Sequence, residues 1–383
     1  MSDVKNNQFR NRLLTCGFIV LLFIFLWWAC GDMNRDLGLG LPRAWRSLNG
    51  YEIQILNLVA VYGILAISLN IIYGFTGMFS LGHAGFMAIG AYVSALCVLT
   101  PDQKEMMWLI EEILPPLANL YTPFWFSVIL GGVVATLFAL LIGIPVLRLG
   151  GDYLGIATLG FSEIIRVLIV NATSITNGSL GIKGIPCYTD VYTSFIWLIV
   201  VTFCIVRLLN SNFGNVLKAV RDDEIAAQVM GINVFHTKLF SFCLGAFLAG
   251  VGGALLGNLL TTIDPKMFTF LLTYNVLMIV VAGGLGSITG SILGSAIITV
   301  LLEWLRVVEE PMDLGFIAIP GIPGMRMVVF SVVLLIIILY RREGIMGMRE
   351  FSWNGFFRFF PLHENLTCFD QLIIELLIHF STS

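Results

Sequence analysis

The sequence alternates between long apolar stretches and short polar connections. A helix that crosses a bilayer needs about 20 mostly apolar residues, and stretches of about this length recur from end to end. They lie at Leu13–Cys30, Ile55–Tyr73, Phe79–Leu99, Phe124–Leu147, Tyr153–Val170, Ser194–Leu209, Leu239–Leu260, Leu271–Gly283, Ile288–Leu305 and Met327–Tyr340. The pattern predicts an all-α polytopic membrane protein with about ten transmembrane helices.

Composition supports this class and excludes others. The 383 residues are 58% hydrophobic and 12% charged, against about 45–50% and about 25% in soluble domains. No basic tract suggests nucleic-acid binding. The seven cysteines are scattered without CxxC spacing, so they indicate apolar packing and predict no metal site. No HExxH or GxSxG motif is present either, and we expect no enzyme activity.

The distribution of Lys and Arg predicts the orientation. With the N-terminus inside, twelve of the 21 basic residues fall on the cytoplasmic side and eight on the other, while Arg166 lies within a span. Cytoplasmic loops carry the excess of positive charge. We therefore expect a multi-pass protein of the bacterial inner membrane with both termini in the cytoplasm.

Two glycine-rich segments interrupt the apolar stretches. One runs over 77–85 and the other over 283–290. Non-helical backbone at membrane depth must be buried in protein or line water. Paired breaks of this kind suggest a possible inverted repeat and a substrate path. The polar candidates for a translocation path are Asn70, Gly77, Ser80, His83, Glu163 and Arg166.

Several of these candidates have a plainer explanation. Glu163 and Arg166 are spaced i,i+3 and can neutralise each other. Asn70 can bridge helices, and His83 can be either a path residue or a packing residue. Small-residue ladders (Gly245, Ala249, Gly253, Gly257, and Gly286, Gly290, Gly294) predict close helix packing, within the chain or against a second subunit.

The polar segment between the sixth and seventh spans is residues 210–238, here called the polar loop. Its centre, Val216–Met230, is predicted to be one amphipathic helix with Leu217, Val220, Ile225 and Val229 as its apolar positions. Gly231 is placed to end that helix in a left-handed conformation. Such a helix would lie on the membrane surface and present one face to a cytoplasmic protein.

The stretch from Glu224 to Gly231 resembles the EAA…G loop of bacterial ABC-importer permeases, with one residue inserted before the Ala pair. In that family the loop docks into a groove on the ATP-binding subunit. Sequences at 69–86 (LNIIYGFTGMFSLGHAGF), 151–166 (GDYLGIATLGFSEIIR), 176–186 (TNGSLGIKGIP) and 342–347 (REGIMG) resemble the branched-chain amino-acid permeases of the LivM type. The resemblance implies coupling through Gly214, Arg221, Glu224, Ala226, Ala227 and Gly231.

The resemblance also implies a set of partners. They are a second permease, two cytoplasmic ATP-binding subunits, an extracytoplasmic solute-binding protein and membrane lipid. No GxxxxGK[ST] loop occurs in the sequence, so we expect no bound cofactor and ATP use by the partner subunits. Residues 1–350 would form the permease domain, with the coupling loop at 210–238. The 101–123 insertion and the 351–383 tail lie outside the family pattern and have no assigned role.

Two other functions stay open at this point. Permeases for urea or short-chain amides are closely similar, although they tend to carry Gln at the position of His83. A stand-alone transporter driven by H⁺ or Na⁺ would also use broken helices and a buried carboxylate, for which Glu163 is the candidate. That alternative leaves the polar loop unexplained.

Overall fold

The computed structural model describes residues 2–30, 48–108, 111–149, 151, 153–306, 312–313, 318–319, 325–340 and 344–350. The chain divides into two units. The main unit runs from Leu48 to Met348, and the other contains the N-terminal helix α1 (Ser2–Ala29). The predicted tail 351–383 lies outside the described residues.

The main unit is built from helices. They are α2 (Gly50–Asn70), which continues into a π-helical turn (Ile71–Phe75), α3 (His83–Val98), α4 (Pro101–Met107), α5 (Pro115–Ala118), α6 (Phe124–Val146), α7 (Tyr153–Asn171), α8 (Thr173–Thr176), α9 (Val191–Leu209), α10 (Asn212–Asp222), α11 (Glu224–Val229), α12 (Val234–Leu260), α13 (Phe270–Gly283), α14 (Ile288–Trp304) and α15 (Met325–Tyr340). Single turns of 3₁₀ helix lie at Gly178–Leu180 and Pro265–Met267.

Strands are limited to two short antiparallel pairs in the described residues. Strand β1 (Ile182–Lys183) pairs with β2 (Thr262–Ile263), so that Ile182 lies opposite Ile263. Strand β3 (Met312–Asp313) pairs with β4 (Ala318–Ile319). The first pair joins the connection after α7 to the connection after α12. Both pairs lie between helices, and the spans themselves are helical.

The described residues include five helices that are long and apolar enough to cross a membrane. They are α2 with its π-helical turn, α6, α7, α9 and α12. Two bent pairs, α3 with α4 at 117° and α13 with α14 at 118°, raise the number to seven if each counts as one span. The all-α polytopic membrane fold is confirmed.

The number of spans differs from the sequence-based expectation of about ten. The stretches Leu271–Gly283 and Ile288–Leu305 are not two independent spans but the arms of one bent pair. The bend is possible because Gly284 and Gly286 have φ angles of 127° and 80°, which side chains disfavour. The predicted spans Leu13–Cys30 and Met327–Tyr340 correspond to α1 and α15. The apolar part of α1 (Gly17–Ala29) and the 16-residue α15 fall short of the length required.

Helices α3, α6 and α12 pack backbone to backbone through glycine. A Cβ atom on Gly90 of α3 would lie 2.1 Å from the carbonyl oxygen of Gly250 on α12. A Cβ on Gly253 would lie 2.1 Å from the carbonyl oxygen of Met87. Small residues allow this approach, which supplies van der Waals packing where lipid removes the hydrophobic drive. The three helices therefore form the core of the main unit.

The glycine ladders are used within the chain. Gly245 lies against Ile72 of the π-helical turn, and Gly257 lies against Ile263 of β2. In the second ladder, a Cβ on Gly290 would lie 2.6 Å from the carbonyl oxygen of Gly283, so this ladder closes the α13–α14 pair on itself. The sequence left open whether the ladders pack within the chain or against a second subunit. These glycines pack within the chain.

Candidate functional site

The two glycine-rich breaks meet in space. Asn70, at the end of α2, donates from Nδ2 to the Ser287 carbonyl at 2.9 Å and to Ser291 Oγ at 2.7 Å. Its Oδ1 accepts from the Gly286 backbone N–H at 2.9 Å. The amide thus joins the end of α2 to the turn between α13 and α14, in agreement with a bridging role.

Glycine is required where the breaks touch. A Cβ on Gly74 would lie 1.8 Å from Asn70 Oδ1 and 2.4 Å from the Gly286 nitrogen. Gly77 follows the π-helical turn with a φ of 75°, a left-handed conformation. The segment from Gly74 to Gly77 is therefore fixed by close contacts that a side chain would disrupt.

Arg221, near the end of α10, reaches from the polar loop to both breaks. Its Nη1 donates to the Gly74 carbonyl at 3.2 Å. A Cβ on Gly77 would lie 3.1 Å from Arg221 Cγ. A Cβ on Gly286 would lie 3.2 Å from Arg221 Nη1. The guanidinium also pairs with Asp222 at 2.8 Å. Of the predicted coupling residues, Arg221 thus contacts the predicted path directly.

His83 begins α3 in the middle of the membrane-spanning region. Its Nε2 lies 3.1 Å from Ser68 Oγ on α2, and Ser68 Oγ donates to the Gly245 carbonyl at 2.6 Å. Gly245 is the twelfth of the 27 residues of α12. The start of α3 therefore lies near half the depth of that span.

Side-chain hydroxyls satisfy the backbone at this break. The Leu81 N–H donates to Thr158 Oγ1 of α7 at 3.0 Å, and the Ala84 N–H donates to Thr273 Oγ1 of α13 at 2.9 Å. Lipid offers no such acceptor, so non-helical backbone needs protein partners at this depth. Side chains of α7 and α13 therefore satisfy the backbone around the start of α3.

No arrangement for chemistry is found at this break among the residues that the structure describes. Ser80 is buried, but the ring of His83 is bonded to Ser68 and not to Ser80. Within the described residues, no group of three or more His, Cys, Asp and Glu side chains could hold a metal ion. What the geometry offers is a polar, glycine-lined break at membrane depth, as in a transport path.

Glu163 and Arg166 form an ion pair at the surface of α7. Glu163 Oε2 and Arg166 Nε are 2.7 Å apart, and the two side chains are 40% and 29% exposed. The buried stripe of α7 runs instead through residues such as Thr158, Ser162 and Ile165. The expected self-neutralising pair is present. Within this chain the Glu163 side chain is not buried, because it lies beside the stripe that packs on the protein.

The polar loop contains two helices and not the single predicted helix Val216–Met230. Asp223 interrupts it with extended backbone, at φ −158° and ψ 113°. Its Oδ1 accepts from the N–H groups of Ile225 and Ala226 at 2.8 and 3.0 Å, which makes it the N-cap of α11. The left-handed Gly231 is confirmed, with a φ of 84°.

The predicted apolar face of the loop splits in two. Leu217 and Val220 of α10 are buried, and Val220 packs with Ala227 and Val234 in a small core. In contrast, Ile225, Val229 and Met230 are 75%, 81% and 81% exposed. We call these three residues the apolar tip. The loop therefore holds one face to the protein and offers a second apolar face to another surface.

The other predicted coupling residues hold the loop in place or lie beside the tip. Gly214 lets α10 turn tightly after α9, because a Cβ there would lie 2.1 Å from the Leu209 carbonyl oxygen. Glu224 pairs with Lys238 of α12 at 2.5 Å. Ala226 is exposed on α11 and Ala227 is buried.

Sequence reasoning missed the helix break and three hydroxyl side chains. Asp223 was a usable signal for the break, since an Asp often precedes a helix start. No signal indicated the roles of Ser68, Thr158 and Thr273, because each bonds to a residue on a different element.

Comparison with known proteins agrees with this geometry. Residues 52–339 match the family described as branched-chain amino acid transport system / permease component. The high-affinity branched-chain amino acid transport system permease proteins LivM of Salmonella typhimurium and Escherichia coli are each 34% identical, over 68% and 67% of this chain and 64% of their own lengths. A probable LivM permease of Methanocaldococcus jannaschii is 25% identical over 76% of this chain and 92% of its own length.

The chain spans about 64% of the length of the first two relatives. No solved structure matches it. The family match covers well over half of the chain and includes both breaks, the polar loop and the helices that carry them. The chain belongs to the family of permease components of branched-chain amino acid transport systems.

Proposed function

We propose that this chain is the membrane-spanning permease subunit of an ATP-driven importer that carries branched-chain amino acids across the bacterial inner membrane. The names of its relatives support the substrate class. The sequence has no phosphate-binding GxxxxGK[ST] motif, so two cytoplasmic subunits would bind and hydrolyse ATP. An extracytoplasmic solute-binding protein would deliver the substrate to the opposite face.

The apolar tip is the observation that carries this proposal. Three large apolar side chains project from a loop that is otherwise polar, and the loop itself is fixed by the Asp223 cap and the Glu224–Lys238 pair. Exposed apolar groups clustered on a polar surface mark an interaction site for a protein or a membrane. A rigid, short helix with an apolar end suits the groove of an ATP-binding subunit.

Polar substitution of the apolar tip is expected to release the ATP-binding subunits. The triple change Ile225→Ser, Val229→Ser and Met230→Ser removes the side chains that we place in the groove, and we expect about ten-fold less ATP-binding subunit to co-purify with the complex. The measurement is quantitative co-purification from detergent-solubilised membranes.

Met106→Ser is the matched control. Met106 is as exposed as the tip residues, but it lies on α4 beyond the far end of α3. We expect normal co-purification for this variant. Retention of the ATP-binding subunits by the triple variant would contradict docking at the tip.

A route from the tip into the membrane follows from the contacts. Helix α11 is joined to α10, and Arg221 of α10 bonds to Gly74 and lies against Gly286. Asn70 then connects these two breaks to each other. In the proposed importer, movement of the ATP-binding subunits displaces α10 and α11, and Arg221 passes this displacement to both breaks.

The outer face of α7 supports a second permease as neighbour. Glu163 and Arg166 lie within a span yet remain part-exposed. Charged groups facing lipid cost about 2.5–3.5 kcal/mol each on insertion scales. A protein neighbour that covers this face removes that cost, and a related permease is the membrane-embedded candidate.

A bulky residue on α7 is expected to separate the two permeases. Gly160 lies on the exposed face, and no described atom outside helix α7 lies within 4 Å of the position that a Cβ would take there. Gly160→Trp should therefore leave the chain folded but reduce co-purification of the second permease severalfold. Leu141→Trp, on the exposed face of α6, is the control. Equal co-purification of the second permease with both variants would place the interface elsewhere.

Both termini, and the polar loop with them, are proposed to lie in the cytoplasm. This orientation follows from the excess of Lys and Arg on that side. Residues 1–350 then form the permease domain. Urea or short amides are the substrates to test against branched-chain amino acids in uptake assays. Uptake by the purified chain alone under an ion gradient would instead indicate a secondary transporter.

A further inference from the structure

The hydrogen bonds around His83 determine which ring nitrogen carries the proton. Ser68 has a single hydroxyl proton, and it is donated to the Gly245 carbonyl at 2.6 Å. Ser68 Oγ can therefore only accept from His83, so Nε2 is the protonated nitrogen. In the neutral ring, Nδ1 is then a bare acceptor.

This acceptor is buried without a partner. His83 is 1% exposed, and Nδ1 has no hydrogen-bond partner within the described part of the chain. The ring also hydrogen-bonds to the Leu65 carbonyl. A protonated ring nitrogen donates in that bond, so it does not satisfy the lone pair of the bare nitrogen. Buried polar groups in folded proteins are nearly always paired, and an exception calls for a specific explanation.

The position of this acceptor fits a transport path. It lies at the first residue of α3, at half the depth of α12, where hydroxyl side chains of α2, α7 and α13 and a backbone carbonyl of α12 meet. The preceding segment includes Gly77, which Arg221 of the polar loop contacts. Ionisable residues at this depth are functional candidates, and substrate sites of transporters lie near the membrane midplane at broken helices.

We infer that His83 Nδ1 accepts a hydrogen bond from the ammonium group of the transported amino acid at the middle of the membrane. The inference rests on the proposed function and adds a substrate contact to it. An ammonium group carries three donors and no acceptor, which complements a bare ring nitrogen, whereas a carboxylate does not. A bond to a charged donor is also among the stronger ones.

The contact would be transient. In the described state the ring is enclosed, so the segment between the π-helical turn and α3 must move before substrate reaches Nδ1. Arg221 lies against that segment, so the element that senses the ATP-binding subunits is also the element next to the substrate contact. The ammonium group loses its water on entering the membrane, and His83 replaces part of that hydration.

Two isosteric variants separate a substrate contact from a packing role. The side-chain amide oxygen and nitrogen of asparagine are as many bonds from Cα as Nδ1 of histidine. Those of glutamine are as many bonds from Cα as Nε2 of histidine. His83→Asn keeps an acceptor near the Nδ1 position, whereas His83→Gln keeps the bond to Ser68 and loses that acceptor. The assay is ATP-dependent leucine uptake by the complete complex in proteoliposomes, with the solute-binding protein in excess.

We expect His83→Gln to lower leucine uptake about ten-fold and His83→Asn to retain a substantial part of it. Ser68→Ala leaves Nδ1 in place and should retain uptake as well. The reverse order, with Gln active and Asn inactive, would show that His83 acts through Ser68 and would overturn the inference. Wild-type uptake in both variants would overturn it too.

The remaining outcomes are also decisive. If both His83 variants fail while Ser68→Ala transports, an acceptor at the Nδ1 position is not sufficient for uptake, and the inference is overturned. If Ser68→Ala fails with them, the cluster is a packing element and the inference is wrong. The wild-type complex reports separately on the proposed function, since absence of ATP-dependent leucine uptake there would contradict that function whatever the variants do.

Discussion

Gly90→Ala is expected to prevent the folded chain from accumulating. The added Cβ would lie 2.1, 2.5 and 2.6 Å from the carbonyl oxygen, Cα and carbonyl carbon of Gly250. These are backbone atoms of a packed helix and cannot rotate away. We expect a loss of stability at or above the upper end of the ~1–3 kcal/mol typical of overpacking. The measurements are the yield of monodisperse protein from detergent and its apparent melting temperature.

Gly160→Ala is the control for this experiment. It makes the same chemical change within a membrane-spanning helix, but no described atom outside helix α7 lies within 4 Å of the new Cβ. Since alanine favours helix over glycine by about 1 kcal/mol, this variant should match or exceed the wild-type melting temperature. Equal melting of the two variants would contradict the close approach of α3 and α12.

The close packing of α3, α6 and α12 separates rigid from movable parts of the chain. Glycines at 90, 131, 250 and 253 place these helices in backbone contact, and such a core is not deformable by small amounts. In the two breaks, the Leu81 and Gly286 N–H groups instead depend on single side-chain acceptors, Thr158 Oγ1 and Asn70 Oδ1. Any opening of a path would therefore start at the breaks.

The spans and breaks could be predicted from the sequence because they depend on local properties. Apolar length predicts a span, and clustered glycine predicts an interruption, whatever surrounds them. The contact between the breaks could not be predicted in this way. Asn70 and Gly286 are 216 residues apart, and a single sequence carries no signal of which distant glycine an amide will meet.

The polar loop is less predictable for a related reason. Counting one helical period from Val216 to Met230 places Val220 and Ile225 at the two edges of one wide apolar face, with Leu217 between them. The Asp223 side chain competes for the backbone and starts a new helix, which turns Ile225 outward while Val220 stays buried. The cap is a local feature of the sequence, but which face each half buries depends on α12, which packs against both.

Arg221→Glu is expected to uncouple ATP hydrolysis from uptake. The substitution removes the donor to the Gly74 carbonyl and places a carboxylate against that acceptor, beside Gly77 and Gly286. Coupling energies between sites are typically worth about 5–150-fold, and we expect leucine uptake per ATP hydrolysed to fall about ten-fold while the ATPase rate is retained. Both rates are measured in proteoliposomes that contain the complete complex.

Three further variants define the cause. Glu224→Lys, which sets two positive charges together at Lys238, should also uncouple. Arg221→Lys keeps the charge but loses the planar fork and should transport at an intermediate level. Lys218→Glu makes the same charge change on α10, where the structure describes no contact with either break, and should transport normally.

Normal uptake by both charge reversals, at 221 and 224, would contradict the proposed coupling. Loss of uptake in Lys218→Glu would show that charge on α10 matters more than the contact with Gly74. Because Arg221 is the only one of these side chains bonded to a break in the described residues, the mechanism predicts that its effect on uptake per ATP is the largest of the four.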